Sequence, residues 1–207
     1  MRKCLRMTVD KIEPPDKRRS KVFIDGDFAF VLYNGEIRHY HIEAGQDISE
    51  PVYEEILHGV ICKRAREKSL YLLKSSGKTE SEVRQKLRSG HYPEEAVEEA
   101  VSFLNKYHYL DDREYARNYI ELYGSRKSRT ELMTALLRKG IDKETIVEFC
   151  DELQPDSSGQ IKNLLKKRRY DPECTDRKEQ QKHMAYLLRK GFSFEEIRSA
   201  MGAFEEE

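Results

Sequence analysis

The sequence has no tryptophan, few cysteines, no net charge and no long apolar run, and each shortage excludes something. With charged residues at 37% against 38% hydrophobic, apolar surface is scarce relative to the chain entropy that folding must overcome. A thick globule suits this composition less well than a thin, extended fold. Cys4, Cys62, Cys150 and Cys174 are irregularly spaced and form no Cys-x-x-Cys pair, which argues against a disulfide framework and against a zinc site. Reduced thiols are expected, with no cofactor and no metal. Zero net charge argues against affinity founded on whole-body attraction to nucleic acid or an anionic membrane. Neither end is a charged tail, because residues 1–60 carry 9 Lys plus Arg against 11 Asp plus Glu, leaving 29 against 27 for the rest. No stretch approaches the roughly 18 apolar residues of a membrane span, and Met1-Arg2-Lys3-Cys4-Leu5-Arg6 lacks the apolar run of a secretory signal. A cytoplasmic protein with no membrane partner is the expectation.

Two regions of different pattern are present. In the first fifty residues, Val22, Phe23, Ile24, Phe28, Phe30, Val31 and Tyr33 fall in short runs broken by Asp25-Gly26-Asp27 and Asn34-Gly35. The second break reads as a hairpin, since Asn-Gly readily takes the positive φ angles of tight turns. Strands are predicted near 7–13, 20–25, 28–33 and 37–42, in a small antiparallel sheet that must pack on something to be stable. From Pro51 the apolar period becomes helical, with Tyr53, Ile56, Leu57, Val60 and Ile61 on one face, and a helix is predicted from there to about Cys62.

Beyond it one unit recurs three times. Gly90, Gly140 and Gly191 each end a predicted helix B, and helix C follows. Counted from these glycines, Arg88, Arg138 and Arg189 stand at −2, Leu87, Leu137 and Leu188 at −3, and Val83, Met133 and Met184 at −7. On the other side Ala96, Ile146 and Ile197 stand at +6, and Ala100, Cys150 and Met201 at +10, tracing one helix face. Thr79 with Glu82, Ser128 with Glu131 and Ser193 with Glu196 have capping-box spacing, each worth about 1 kcal/mol, and Pro93 suits a first helical position. A helix A near 64–76, 111–124 and 158–169 completes each unit. The fold class expected is mainly α: three tandem three-helix repeats in an elongated curved array, with a small N-terminal antiparallel β region. The boundaries are 1–50 for the β region, then 51–110, 111–156 and 157–207 for the repeats.

Candidate chemistry is sparse. Asp111 and Asp112 could hold a metal, but as a helix start followed by Glu114 they suit the helix dipole better. His39 and His41 would share a strand face, with no third ligand. No nucleophile with a general base and no phosphate loop can be argued, so catalytic residues are not expected. Tyr115, Tyr119 and Tyr123 form a stripe that reads first as packing against the next repeat, with the hydroxyls at the edge, and second as a contact surface for a partner. Four basic runs recur near the ends of helices A or B: Lys63-Arg64-Ala65-Arg66, Arg126-Lys127-Ser128-Arg129, Lys166-Lys167-Arg168-Arg169 and Arg189-Lys190. Dipole compensation explains part of this. The alternative is a basic stripe opposite the acidic starts of helix C at Glu94-Glu95, Asp142 with Glu144, and Glu195-Glu196. Within these runs the candidate partner-binding residues are Arg64 and Arg66; Arg126, Lys127 and Arg129; Lys166, Lys167, Arg168 and Arg169; and Arg189 and Lys190. Tyr115, Arg117, Arg138 and Lys139 join them.

The most specific string is Tyr109-Leu110-Asp111-Asp112-Arg113-Glu114-Tyr115-Ala116-Arg117-Asn118-Tyr119, followed by Arg126-Lys127-Ser128-Arg129 and Leu136-Leu137-Arg138-Lys139-Gly140. It resembles the bacterial RecX family of RecA regulators. The resemblance covers 64–205 as three repeats, and the N-terminal strands look like the β extension of the Gram-positive members. His108 stands where a Gly is common in that family, Tyr115 where Phe is common, and Thr79 lies one residue nearer its glycine than Ser128 does. The resemblance implies a protein that docks in the groove of the RecA filament on single-stranded DNA, across neighbouring subunits, and restrains ATPase, strand exchange and the SOS response; a monomer is expected. The residues alone leave two other readings: a helical protein whose basic stripe binds DNA or RNA directly, and a scaffold for an unrelated partner.

Overall fold

A computed structural model describes residues 6–14, 16–171 and 176–205; Cys4 and Cys174 lie outside them. The chain divides into two compact units, residues 1–111 and 112–207.

Unit 1 opens with strands β1 (Arg6–Glu13), β2 (Arg19–Ile24) and β3 (Asp27–Tyr33), helix α1 (Asn34–His39) and strand β4 (Asp47–Ser49). The sheet is antiparallel in the order β3-β2-β1-β4. The β2–β3 hairpin turns at Asp25-Gly26, whose φ values of 50° and 88° suit a tight two-residue turn. The Asn34-Gly35 hairpin predicted from sequence is not formed. Tyr33 ends β3 and its N–H donates to Glu36 Oε2 at 2.8 Å, so Asn34-Gly35 opens α1. A carboxylate three residues ahead met the orphan amide of a helix start, and the predicted strand 37–42 is replaced by this helix and a turn. His39 and His41 therefore share no strand face; His41 is left-handed at φ 51°.

α2 (Glu50–Glu54), a π-helical segment (Glu55–Cys62) and α3 (Lys63–Ser75) follow one another with helical backbone at both junctions. The break expected after Cys62 is absent, because Lys63-Arg64-Ala65-Arg66 contains good helix formers and no cap or breaker. The run Lys63–Arg66 thus lies inside a helix, where a terminal dipole cannot explain it. α4 (Glu80–Ser89) and α5 (Glu94–Lys106) complete the unit. Val22, Phe30 and Leu32 of the sheet join Ile56, Leu57, Ile61, Val83, Leu87 and Val97 in one buried cluster, so the sheet and the first repeat share a core.

Unit 2 holds α6 (Asp112–Tyr123), α7 (Arg129–Arg138) and α8 (Lys143–Leu153), then α9 (Ser157–Lys167), α10 (Arg177–Arg189) and α11 (Phe194–Glu205). Two buried clusters serve the two triplets: Leu132, Leu136 and Ile146 with neighbours, and Leu165, Leu187 and Ile197 with neighbours. The three expected capping boxes form, with Glu82, Glu131 and Glu196 N–H donating to Thr79, Ser128 and Ser193 Oγ at 3.2 Å each. Pro93 is the N-cap of α5, one position before the place foreseen.

The shared register counted from the glycines needs correction. Leu87, Leu136 and Leu187 are fully buried, whereas Leu137 and Leu188 are 45% and 46% exposed. The equivalent turns are closed by Tyr92, Ile141 and Phe192 N–H donating to Leu87, Leu136 and Leu187 C=O at 3.2, 3.2 and 3.3 Å. The left-handed residue of each turn is His91 (φ 63°), Gly140 (φ 84°) and Gly191 (φ 86°). Gly90, at φ −80°, is only the C-cap. The first repeat is therefore slipped by one residue against the glycine count, and this is what places Thr79 nearer Gly90. Arg88 corresponds to Leu137 and Leu188, while Arg138 and Arg189 correspond to Ser89. His108 also takes a left-handed slot, at φ 55°.

Candidate partner-binding groove

The second and third repeats meet within unit 2 at the start of α7. Ser128, 1% exposed, accepts the Glu131 amide and donates its hydroxyl to Lys190 C=O at 2.6 Å. Thr130 Oγ1 donates to Gly191 C=O at 2.7 Å. Close approach requires Gly191, since a Cβ there would lie 2.7 Å from Thr130 Cβ. Leu132 and Leu136 face the core, leaving Thr130, Thr134 and Arg138 along the opposite strip of α7. Beside that strip runs an open groove of about 560 Å³, lined by Arg126, Lys127, Arg138, Arg189 and Lys190 with Thr130, Glu131, Thr134, Ala135 and Gly191.

Five cations and one carboxylate therefore share the groove. Glu131 accepts from Ser128 N–H at 3.2 Å and lies 3.6 Å from Lys190 Nζ. Lys127 Nζ donates to Tyr119 Oη at 2.6 Å and lies 5.1 and 4.9 Å from the rings of Tyr119 and Tyr123. The side chains of Arg126, Arg138 and Arg189 have no hydrogen-bond or ion-pair partner among the described residues. An exposed guanidinium without an internal carboxylate keeps its fork of donors for a phosphate or carboxylate on another molecule. The threonine hydroxyls are engaged, Thr130 with Gly191 and Thr134 Oγ1 with Thr130 C=O at 2.8 Å, so the polar groups left open to solvent along the groove are mainly its cations.

The other sequence candidates lie elsewhere. Arg64 pairs with Glu36 at 2.5 Å, donates to Val31 C=O at 3.4 Å and lies over Tyr33. Arg66 lies 3.6 Å from Glu99 and over Phe103. In unit 2, Arg117 pairs with Glu152 at 2.7 Å beside Phe149, and Arg129 with Asp151 at 2.6 Å. Tyr115 is half-buried against its own repeat's core, with Lys139 Nζ 5.2 Å from its ring. The Tyr115, Tyr119 and Tyr123 stripe thus packs on the core of its own repeat and not on the next one as expected, because α7 and α8 fold back onto α6. Lys166 and Lys167 end α9, Arg168 caps it and stacks 4.4 Å from Tyr186, and Arg169 is left-handed at φ 55°. That run is exposed but does not line the groove. Asp111 and Asp112 belong to no group of three metal-ligating side chains among the described residues.

Residues 65–104 match the first three-helix domain of RecX and residues 160–201 the third. Regulatory protein RecX of Caldanaerobacter subterraneus subsp. tengcongensis is 30% identical over 183 residues, covering 87% of this chain and 90% of that one. The chain belongs to the RecX family. Regulatory protein RecX of Clostridium beijerinckii is 27% identical over 194 residues, covering 92% of this chain and 91% of that protein. A crystal structure of regulatory protein RecX aligns with a TM-score of 0.63 at 25% identity, covering 97% of this chain and 100% of that one. RecX from Lactobacillus salivarius aligns at 0.60 and 22% identity, covering 70% and 97%, and supports the fold alone.

Membership in RecX places the chain among proteins named as regulators rather than among known enzymes. No helix of its described residues is long and apolar enough to cross a membrane. Two features of this RecX chain escaped the sequence reading. Leu137 and Leu188 are exposed next in sequence to Arg138 and Arg189, and the repeated Leu-Arg-Lys-Gly was the available signal. His58, Cys62 and Glu99 converge in unit 1, and no local spacing could have announced a partner 37 residues beyond Cys62.

Proposed function

We propose that this chain is a mainly negative regulator of the RecA recombinase, binding in the groove of the RecA filament on single-stranded DNA and restraining ATPase and strand exchange, and with them the SOS response. The proposal combines family membership with one observation: three arginines along a single groove lack internal carboxylates. Acidic side chains of a protein filament or phosphates of its DNA would complement them, and Leu137 and Leu188 would add apolar contact. The protein would act as a cytoplasmic monomer with no chemistry of its own. Residues 1–50, 51–110, 111–156 and 157–207 are its working segments. A bound regulator shifts a filament equilibrium only by its difference in affinity between two states, and contacts to several subunits at once would enlarge that difference. The test is RecA ATPase and strand exchange on single-stranded DNA with substoichiometric protein. Inhibition is expected; unchanged rates in both assays would sink the assignment.

The unpaired arginines also favour a second reading, direct binding of nucleic acid. It predicts affinity for bare single strands that falls steeply with salt as counterions are released. Tight, salt-sensitive binding without any effect on RecA would favour it over the first.

A further inference from the structure

Unit 1 carries a cluster that takes no part in the groove. His58 and Cys62 stand four residues apart in the π-helical segment, whose wide turn puts such residues nearly above one another, and Glu99 faces them from α5. His58 Nδ1 lies 3.2 Å from Glu99 Oε2 and 3.8 Å from Cys62 Sγ, and the three donor atoms all fall within 4.8 Å of one another. We propose that His58 Nδ1, the Cys62 thiolate and the Glu99 carboxylate bind one divalent ion of the zinc class, with water in the fourth position.

Geometry supports this first. Metal–donor bonds of about 2.0–2.3 Å in a tetrahedron give donor–donor edges of roughly 3.3–3.8 Å. The His58–Glu99 and His58–Cys62 edges, 3.2 and 3.8 Å, lie near those limits, and the third edge is within 4.8 Å, with Glu99 part-exposed on α5. The surroundings agree. His58 Nε2, the ring nitrogen turned away from the site, lies 3.1 Å from Glu54 Oε2 and 3.6 Å from Glu95 Oε1. Carboxylates on the far nitrogen are how ligating imidazoles are oriented and made more basic. Glu99 Oε1, the oxygen not facing His58, lies 3.6 Å from Arg66 Nη1, which steadies the carboxylate.

The donor set selects the ion class. One thiolate and one imidazole beside a carboxylate suit a borderline cation such as Zn²⁺ and fit Mg²⁺ or Ca²⁺ poorly. Burial pushes the Cys62 thiol up to about 12, so the metal-free thiol keeps its proton. Binding forms the metal–sulfur bond and releases that proton to solvent. π-Helical turns also occur often at functional sites. The competing account is an ion-pair cluster, in which a protonated His58 merely serves Glu54, Glu95 and Glu99. That account needs no metal and predicts no response to one.

The experiment titrates Co²⁺, then Zn²⁺, into the full chain carrying Cys4→Ser and Cys174→Ser, which removes the thiols outside the described residues. Expected are one Co²⁺ per chain, tetrahedral visible bands with a sulfur-to-metal charge-transfer band, and displacement by Zn²⁺ with a raised Tm. His58→Gln and Glu99→Gln should each weaken binding more than tenfold, and Glu54→Gln about tenfold. Cys62→Ala should remove the charge-transfer band. Because Cys62 is fully buried and its variant opens a cavity, the two glutamine variants, checked for native circular dichroism, carry the decision. Absence of stoichiometric Co²⁺ binding, or binding unchanged in His58→Gln, overturns the site. Neither result bears on the regulatory reading, which rests on unit 2.

Discussion

The first repeat keeps Arg64, Arg66, Arg84 and Arg88 in internal ion pairs, whereas the second pairs Arg113, Arg117 and Arg129 but leaves Arg126 and Arg138 to a groove shared with Arg189 of the third. In the first, Arg64 meets Glu36, Arg66 meets Glu99, Arg84 holds Glu80 and Glu98, and Arg88 pairs with Glu94 at 2.5 Å. In the second and third, Arg126, Arg138 and Arg189 line a groove with no carboxylate partner. Two differences in sequence cause this. The slipped register puts Arg88 where exposed Leu137 and Leu188 stand, and Ser89 where Arg138 and Arg189 stand. Glu94 and Glu98 then lie across from α4 and consume its arginines. Basic runs of similar composition can therefore be internal fastening in one repeat and external surface in another. Pairing separates the two, and exposed pairs contribute little stability in any case.

The largest effect that sharpens this comparison tests the register. Leu136→Ala should destabilise unit 2 by about 2–5 kcal/mol, while Leu137→Ala should stay within about 0.5 kcal/mol. Chemical denaturation measures both, and equal losses would falsify the assigned faces. Next is charge reversal in the groove. Arg138→Glu with Arg189→Glu should reduce RecA inhibition on the order of 10- to 100-fold, about 1.4–2.8 kcal/mol, with little change in Tm. Arg84→Ala with Arg88→Ala serves as the control from the first repeat; if it lowered inhibition as much, the contrast between repeats would fail.

A smaller effect comes from His183, which stands where Val83 and Leu132 stand in the other repeats. Its Nδ1 is buried without a hydrogen bond, and Tyr170 packs edge-on at 5.2 Å. Burial, with Arg168 and Lys182 nearby and Glu179 opposing them, holds its pKa below the ordinary 6.5. The unfolded chain then binds the proton more readily, so unit 2 loses stability as pH falls through about 6.5 toward the lower folded value. His183→Leu should add roughly 1–2 kcal/mol and flatten that slope in melts between pH 5 and 8. A slope left intact would place the titrating group elsewhere. Smallest is His91→Gly, which relieves a left-handed histidine and should add about 0.5–1 kcal/mol; the reverse change, Gly140→Ala, should cost about as much. Stability unchanged by either would remove the strain argument for the first repeat.

Helix existence, capping boxes and threefold recurrence were legible because each rests on interactions within a few residues: Thr79 with Glu82, Ser128 with Glu131, Ser193 with Glu196. The turn Asn34-Gly35 was misread because a local propensity competes with Glu36 and with packing of Ile37 and Tyr40 on the core. The register of the first repeat was misread because glycine is a proxy for a left-handed residue, and His91 fills that slot instead. Of the candidate site, the composition of the basic runs was legible, but which arginines keep their charge for a partner was not. That depends on carboxylates from other helices, such as Glu36 for Arg64 and Glu152 for Arg117.

The sequence by itself determined a helical repeat with a β extension, since periodicity and caps are short-range properties of a chain. Only the tertiary structure decided that Arg126, Arg138 and Arg189 share one groove, and that His58, Cys62 and Glu99 share one corner. Both follow from packing between helices distant in sequence, where proximity is set by buried Leu, Ile and Val and not by the charged residues that it brings together.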